Sequence, residues 1–578
     1  MFNQMFNNHK LSYNINLSYS KTYAKDYVWI PTWFQSDKIK HTAADARLDE
    51  GYRQNTDALI ENTINYEGTF GEKNHLNIVV GQTYESEFYH NLAAWGYNYA
   101  TPIYLQISNA AERDASSYEG EHTLASYIGR LTYDFDSKYL LQATVRRDGS
   151  SRLSSDDRWG WFPSVSLGWR LDREDFFPVS DQIVNLLKFR GSYGILGNEN
   201  IGNYRYMETM NRNNFAYSFG GNIVYGSAVS SFVNTQIAWE KKKSTSVGFD
   251  LGMFGNQFEF TFEWYKNVSS DLLYEVPVPV TAGVSNTTVT MNAAEMENSG
   301  FEWSAAYHNS KHQIKYDIAV NASTLKNKVV SLGFGQGDYL TGDYMTNIGE
   351  ELGRFYGYKY LGLIENQEQL DAWNKYAVDN GKTEYQKGAR VGDCLYEDLN
   401  KDGEITDADR EILGSGMPKL SFGISAKAEW KGIDLTVSTF GALGYNVTDY
   451  IYNTLTSCYG VGNKDPKVLS DSYPNVYYSA SEAGHTPYAW NDLFSKRKIQ
   501  NADYWKIANI ELGYNFNDDW FNGFVTNVRA YVSGQNIATF SHYKGYNVDY
   551  APGTFTPGFN YCSFPTPRTI MFGLQCSF

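Results

Sequence analysis

The densest set of hard ligands in the chain is Asp398-Leu-Asn-Lys-Asp-Gly-Glu-Ile-Thr-Asp-Ala-Asp409. Asp398, Asn400, Asp402 and Gly403 fit positions 1, 3, 5 and 6 of the twelve-residue EF-hand pattern. Glu404 would offer its backbone carbonyl at position 7, Ile405 is the apolar residue that usually follows, and Asp409 stands at position 12. An aspartate there reaches less far than the usual glutamate, which puts bidentate ligation in doubt. Oxygen donors this crowded repel one another unless a cation lies between them. The expectation is a structural Ca2+ that stiffens a loop; the alternative is a solvated loop of Asx turns.

Other chemistry is hard to find. There is no Gly-x-Ser-x-Gly elbow, no His-Glu-x-x-His and no phosphate loop, so no enzyme class and no organic cofactor is indicated. Asp156-Asp157 sits in polar loop context and reads as solvated rather than as a hydrolase pair. Cys394, Cys458, Cys562 and Cys576 lack metal-ligand spacing. The net charge of −16 disfavours nucleic acid as a partner. Loop aromatics such as Trp95-Gly-Tyr-Asn-Tyr99 and Tyr477-Tyr478 are candidates for stacking on a sugar ring or another apolar ligand face.

The elements that must position these residues are strands. In the last segment, Ile570, Phe572, Leu574, Cys576 and Phe578 share one face, and Thr569, Met571, Gly573, Gln575 and Ser577 the other. A strand between lipid and a watery lumen needs that pattern. A chain stopping on an aromatic suits an assembly signal made of Phe578, Phe572 and Leu574. Leu11–Ser20, Gln257–Tyr265 and Leu420–Trp430 alternate in the same way. Aromatics make up 16% of the residues, yet the mean hydropathy is only −0.48, as expected when apolar and polar residues alternate along strands. About 16 such segments can be placed. They lie near 11–20, 59–70, 74–85, 123–135, 138–147, 162–171, 187–195, 242–252, 257–267, 298–308, 312–323, 418–430, 432–442, 504–516, 526–535 and 568–578.

Their connections alternate long and short. Long ones cover 21–58, 86–122, 148–161, 196–241, 268–297, 324–417, 443–503 and 536–567. Between them come short turns such as Gly71-Glu-Lys-Asn74, Asp134-Phe-Asp-Ser137 and Asn309-Ser-Lys311, while two of the short set, around 172–186 and 517–525, are of medium length. Short turns at one end and long loops at the other are the topology of an outer-membrane β-barrel. The expected fold is therefore all-β, a transmembrane antiparallel up-and-down barrel embedded in the lipid bilayer. The longest loop, 324–417, would lie outside the cell and carry the EF-hand-like segment 398–409. Met1–Lys10 lacks the apolar core of a signal peptide, so residues 1–578 read as the C-terminal part of a longer barrel protein.

Several blocks carry a family resemblance. Thr144-Val-Arg-Arg-Asp-Gly-Ser-Ser-Arg152, Trp159-Gly-Trp-Phe-Pro-Ser-Val-Ser-Leu-Gly-Trp169 and Leu187-Lys-Phe-Arg-Gly-Ser-Tyr-Gly-Ile-Leu-Gly-Asn198 resemble, in order, SusC/RagA-type TonB-dependent transporters. Phe262-Glu-Trp-Tyr-Lys266, Asn298-Ser-Gly-Phe-Glu302, Asn501–Tyr514 and Tyr531-Val-Ser-Gly-Gln-Asn536 continue the match. The resemblance implies a barrel of roughly 22 strands, of which this chain would supply about 16, with the plug domain absent from it. It also implies TonB-dependent import of oligosaccharides or peptides across the cell outer membrane. A SusD-like surface lipoprotein would act as partner, and the TonB complex would act through the missing N-terminal part. A passive 16-stranded porin-like barrel, or a structural surface barrel, is the competing expectation.

Overall fold

The computed structural model describes residues 2–6, 8–32, 46–211, 216–226, 228–229, 232–278, 281, 288–333, 337–456, 463–469, 488–517, 525–550 and 553–577. Two compact units emerge. The first is built mainly from residues 1–174 and the second mainly from 295–578.

In the first unit the strands are β1 (Phe2–Phe6), β2 (His9–Ile30), β3 (Arg47–Phe70), β4 (Asn74–Tyr97), β5 (Glu112–Phe135), β6 (Tyr139–Ser150) and β7 (Trp159–Arg170). Each pairs antiparallel with the next. Register carries the side-chain alternation across the whole sheet. Tyr13, Ile64, Val80, Gly129, Val145 and Pro163 form one row, and the adjacent row on the opposite face is Ser12, Asn65, Val79, Arg130, Thr144 and Ser164. One face of the sheet is thus apolar and unburied: Leu17 is 67% and Tyr19 70% exposed. In water such a face would be untenable, whereas against lipid it is the stable arrangement.

The apolar face is bounded by aromatics. At the end with the short turns, Phe70, Phe135, Tyr139 and Trp169 share one row with Asn74. Glu174 takes the Tyr139 hydroxyl at 2.5 Å and the Trp169 indole N–H at 3.0 Å, so both rings keep a wet polar tip. From Phe70 to Ile60 the outward residues of β3 cover ten positions, about 33 Å of strand. Tilted, that is a band of about 25 Å, the height of a hydrocarbon core.

Beyond that band the strands continue. The segments expected at 11–20, 59–70, 74–85 and 123–135 run on to Ile30, Arg47, Tyr97 and Glu112. The apolar contrast fades above the band because both faces become wet. Lys21, Gln54, His90 and Glu119 lie on one side of this extension, and Asp57, Arg53, Glu87 and Tyr118 on the other. Period-2 patterning disappears there while the backbone ladder persists, so parts of 21–58 and 86–122 expected as loop are strand. Arg53 pairs with Asp26 at 2.8 Å across this ribbon. Residues 98–111 fold back on it, burying Leu48, Tyr99 and Ala110.

In the second unit, Lys315–Thr324, Leu420–Trp430, Ile433–Leu443, Tyr504–Asn515, Thr526–Ser541 and Thr569–Ser577 form a second antiparallel meander. The turn between the second and third of these is Lys431-Gly432, both at positive φ (48° and 85°), as a two-residue hairpin matching the sheet twist requires. In the last strand Ile570, Phe572 and Leu574 are all exposed, Phe572 to 84%. Phe578 and Cys458 lie outside the described residues. Cys394 is buried, and Cys394, Cys562 and Cys576 are free thiols.

The loop expected at 324–417 is a folded subdomain. Tyr339–Thr341, Tyr344–Thr346, Arg354–Tyr358 and Arg410–Gly414 make a small antiparallel sheet. Tyr360–Leu363 pairs with Cys394–Tyr396. Helix α1 (Gln367–Asp379) starts where the Asn366 side chain accepts the Gln369 N–H at 2.9 Å. A buried core joins these parts through Ile364, Leu370, Ala377, Tyr385, Leu395 and Tyr396.

Candidate functional site

The acidic loop 398–409 is held on this subdomain by Tyr385. Its ring stacks on Trp373 of α1 at 4.5 Å between centroids. Its hydroxyl donates to the Tyr396 carbonyl at 2.8 Å and accepts the Asp398 N–H at 3.0 Å. Burial pushes the phenol well above its ordinary range, so it remains a neutral donor at every physiological pH. The strand Cys394–Tyr396 is fixed as well: Gln386 accepts the Tyr396 N–H at 2.9 Å and donates to the Cys394 carbonyl at 2.8 Å.

Within the loop, carboxylates meet backbone N–H groups. Asp398 accepts from Lys401 N at 2.7 Å and Gly403 N at 2.8 Å. Asn400 accepts from Asp402 N at 2.9 Å, and Asp402 from Glu404 N at 2.9 Å. Asp409 is fully buried and closes the turn from the far end. It accepts Leu399 N at 2.9 Å and Thr406 N at 2.7 Å. The sharp reversal falls at Gly403, where φ is +90° and an added Cβ would stand 2.7 Å from Asn380 Cβ at the end of α1. Only glycine fits there without a shift.

A cation already faces the ring. Lys382 Nζ lies 3.1 Å from Glu404 Oε2 and 3.5 Å from Asp402 Oδ2. The Glu404 N–H, then the Lys382 ammonium, hold the Asp402 carboxyl below its usual range. Among the described residues no group of three or more His, Cys, Asp or Glu gathers as a metal cluster. The fold therefore keeps Asp398, Asn400, Asp402, Glu404 and Asp409 on one turn, but directs much of their capacity into backbone hydrogen bonds. Lys382 and Tyr385 were invisible to motif reading, because they enter from positions 13 and more residues away in sequence.

Beside the small sheet, still in the second unit, is a cleft of about 390 Å³ lined by Asp343, Tyr344, Tyr450, Asn453, Lys498 and Phe559. Lys498 pairs with Asp492 at 3.0 Å, and Tyr450 packs on Tyr561 at 4.6 Å between centroids. Aromatic faces beside mixed donors and acceptors make a polar-aromatic surface suited to a hydroxyl-rich or amide-rich ligand. Of the loop aromatics singled out from sequence, Tyr99 is buried with its hydroxyl on the Gln106 carbonyl at 3.1 Å, which makes it structural. Tyr97 carries Arg47 over its ring at 5.4 Å, and Tyr477 and Tyr478 lie outside the described residues.

The model of the TonB dependent receptor-like β-barrel family matches residues 2–537. The chain belongs to that family. It is 30% identical over 550 residues to TonB-dependent receptor P3 of Formosa agariphila, covering 91% of this chain and 53% of that protein. It is 28% identical over 518 residues to TonB-dependent receptor SusC of Bacteroides thetaiotaomicron, covering 87% and 48% respectively. A structure of the RagAB peptide transporter superposes on 99% of this chain and 60% of its own with a TM-score of 0.78, at 21% identity. The SusC/RagA resemblance is thereby established, and with it the outer membrane as the location of the barrel. This chain spans about half the length of the curated relatives it matches. The relatives are receptors and transporters, not enzymes.

Proposed function

We propose that this chain is the barrel wall and outer loops of a TonB-dependent importer of oligosaccharides or peptides, working with a SusD-like lipoprotein over the loop side. The family match over residues 2–537 carries this reading. The polar groups Asp343, Asn453 and Lys498 beside the aromatic rings of the cleft are compatible with a ligand carrying hydroxyl or amide groups. The plug and the contact with the TonB complex belong, on this reading, to sequence outside residues 1–578. The deciding experiment deletes the gene in its host and measures uptake of labelled oligosaccharides and oligopeptides, with and without a functional TonB complex. Loss of TonB-dependent uptake of one class is expected. Uptake that continues unchanged, or passive leakage that ignores TonB, would favour the porin-like alternative. Co-purification should recover a SusD-like lipoprotein.

A structural Ca2+ in 398–409 is part of the same proposal. Asp398, Asn400 and Asp402 would supply side-chain oxygens, Glu404 its carbonyl, and Asp409 the closing carboxylate. The ion would take over from Lys382 in balancing Asp402 and Glu404. Its role would be to stiffen the subdomain. Calorimetric calcium titration of the parent against the double variant Asp398→Ala, Asp402→Ala tests this. Equal heats, or none in either protein at millimolar calcium, would rule it out.

A further inference from the structure

Arg147 lies on the wrong face of the sheet for a charge. Its register partners are Tyr127 on β5 and Trp161 on β7, so it shares the exposed apolar face with Val145, Val165 and Leu167. Its neighbour Arg146, on the polar face, is held by Asp148 at 2.6 Å and by Ser126 at 3.1 Å. Among the described residues Arg147 has no carboxylate within ion-pair distance, and its guanidinium lies over two indoles. The guanidinium carbon stands 4.9 Å from the Trp159 ring centre and 5.2 Å from that of Trp161.

The surroundings keep this arrangement in place. Trp159 stacks on Tyr127 at 6.0 Å with 26° between the planes. Directly across from Trp159 is Gly149, where an added Cβ would come within 2.7 Å of the indole. The missing side chain lets that indole lie over β6 beside Arg147. Two aromatic faces then steady a planar cation without occupying its N–H edges.

Its height on the wall follows from register. Tyr139 belongs to the aromatic row at the short-turn end, and Leu141, Ala143 and Val145 separate it from Arg147 on the same face. Eight residues make about 27 Å of strand, or about 20 Å of height at a barrel's tilt. Short turns lie on the periplasmic side, so Arg147 stands in the outer leaflet about 5 Å below the upper edge of the band, in the row of Asn62 and Gln82, where indoles are favoured and a long cationic side chain snorkels to the lipid headgroups.

We propose that Arg147, with Trp159 and Trp161, binds the phosphate of an anionic lipid headgroup in the outer leaflet, a phosphorylated glycolipid in particular. The guanidinium fork matches two phosphate oxygens, and the flanking indoles take the upper acyl and sugar surface. The site is on the outside of the wall and is separate from any nutrient path through the lumen.

The full-length protein, purified in mild detergent, is exposed to equal amounts of a bisphosphorylated lipid A and the same lipid stripped of its phosphates. Native mass spectrometry reads the bound species. A preference of about tenfold for the phosphorylated form is expected, falling to near parity in Arg147→Gln, as for loss of a charge-assisted hydrogen bond. Trp161→Leu should lose part of the preference while keeping the charge. Heat-modifiable migration checks that each variant has folded. No preference in the parent overturns the proposal, as does an undiminished preference in Arg147→Gln. Should that variant fail to assemble, an undiminished preference in Trp161→Leu overturns it instead. Complete displacement of the lipid by excess inorganic phosphate would mark a free-anion site and reject the headgroup as the ligand.

Discussion

The sheet wall of the first unit and the subdomain at 339–414 are stabilised in opposite ways. The wall turns Leu17, Tyr19, Leu167 and Trp161 outward and exposed. Its polar face is laced by pairs such as Arg146 with Asp148. Its strands are held by continuous backbone ladders and by lipid as the apolar solvent. The subdomain does the reverse, enclosing Tyr385, Tyr396, Ile364 and Leu395 as a water-soluble domain would. Tyr385 and Tyr396 there satisfy their hydroxyls on backbone carbonyls, those of Tyr396 and Trp490. One chain thus carries two solvation rules, and a substitution tolerated under one should fail under the other.

The largest effect is expected in the subdomain core. Tyr396→Ala removes a fully buried ring and should cost about 3–5 kcal/mol locally. Limited proteolysis should then cut within 339–414 while the heat-modifiable migration of the wall is unchanged. If insertion into the membrane falls with it, the two regions are not independent and the contrast breaks.

Next in size is a charge on the apolar face of the wall. Ile64→Arg should cost about 2–4 kcal/mol near the middle of the band and lower the folded yield in outer-membrane fractions. Thr63→Arg, one residue away on the polar face, should leave the yield nearly unchanged. Equal losses would mean the faces have been assigned wrongly. Removing Phe578, or Phe572→Asp in the strand that pairs with Thr526–Ser541, should reduce assembly in the same assay.

A smaller effect is expected at the acidic loop. Asp398→Ala strips the acceptor from the Lys401 and Gly403 N–H groups and should cost about 1–3 kcal/mol. Hydrogen exchange at those amides would report it. Asp398→Asn keeps an acceptor and should cost less. The smallest effect is a pH dependence from Asp402. Its folded pKa is depressed, so its contribution is present above the ordinary carboxylate pKa and is lost as pH falls through the lower folded value. Protection of the Glu404 amide should weaken only in acid, and weakening toward alkaline pH would contradict the assignment.

Legibility followed the same division. The alternation of Ile570, Phe572 and Leu574, or of Leu11 through Tyr19, reported its face directly because each side chain answers to a different solvent. Where β3 and β4 rise above the band, Gln54 and His90 face water as Arg53 and Glu87 do, and the strand became unreadable. The ligand pattern from Asp398 to Asp409 was legible as spacing. That Lys382 would face it and Tyr385 would carry it was not, since neither belongs to the motif.

What the sequence determined by itself was the alternation of faces, the alternation of short and long connections and the family. These properties are local: period-2 side-chain placement and turn chemistry need only neighbouring residues. Tertiary structure alone decided that 324–417 folds around its own core, that Asp409 is buried and that Tyr99 is structural. It also decided that Arg147 lies between two indoles. Those outcomes depend on which strands and helices meet, through registers and packings set by contacts between residues distant in the chain, and no local period records them.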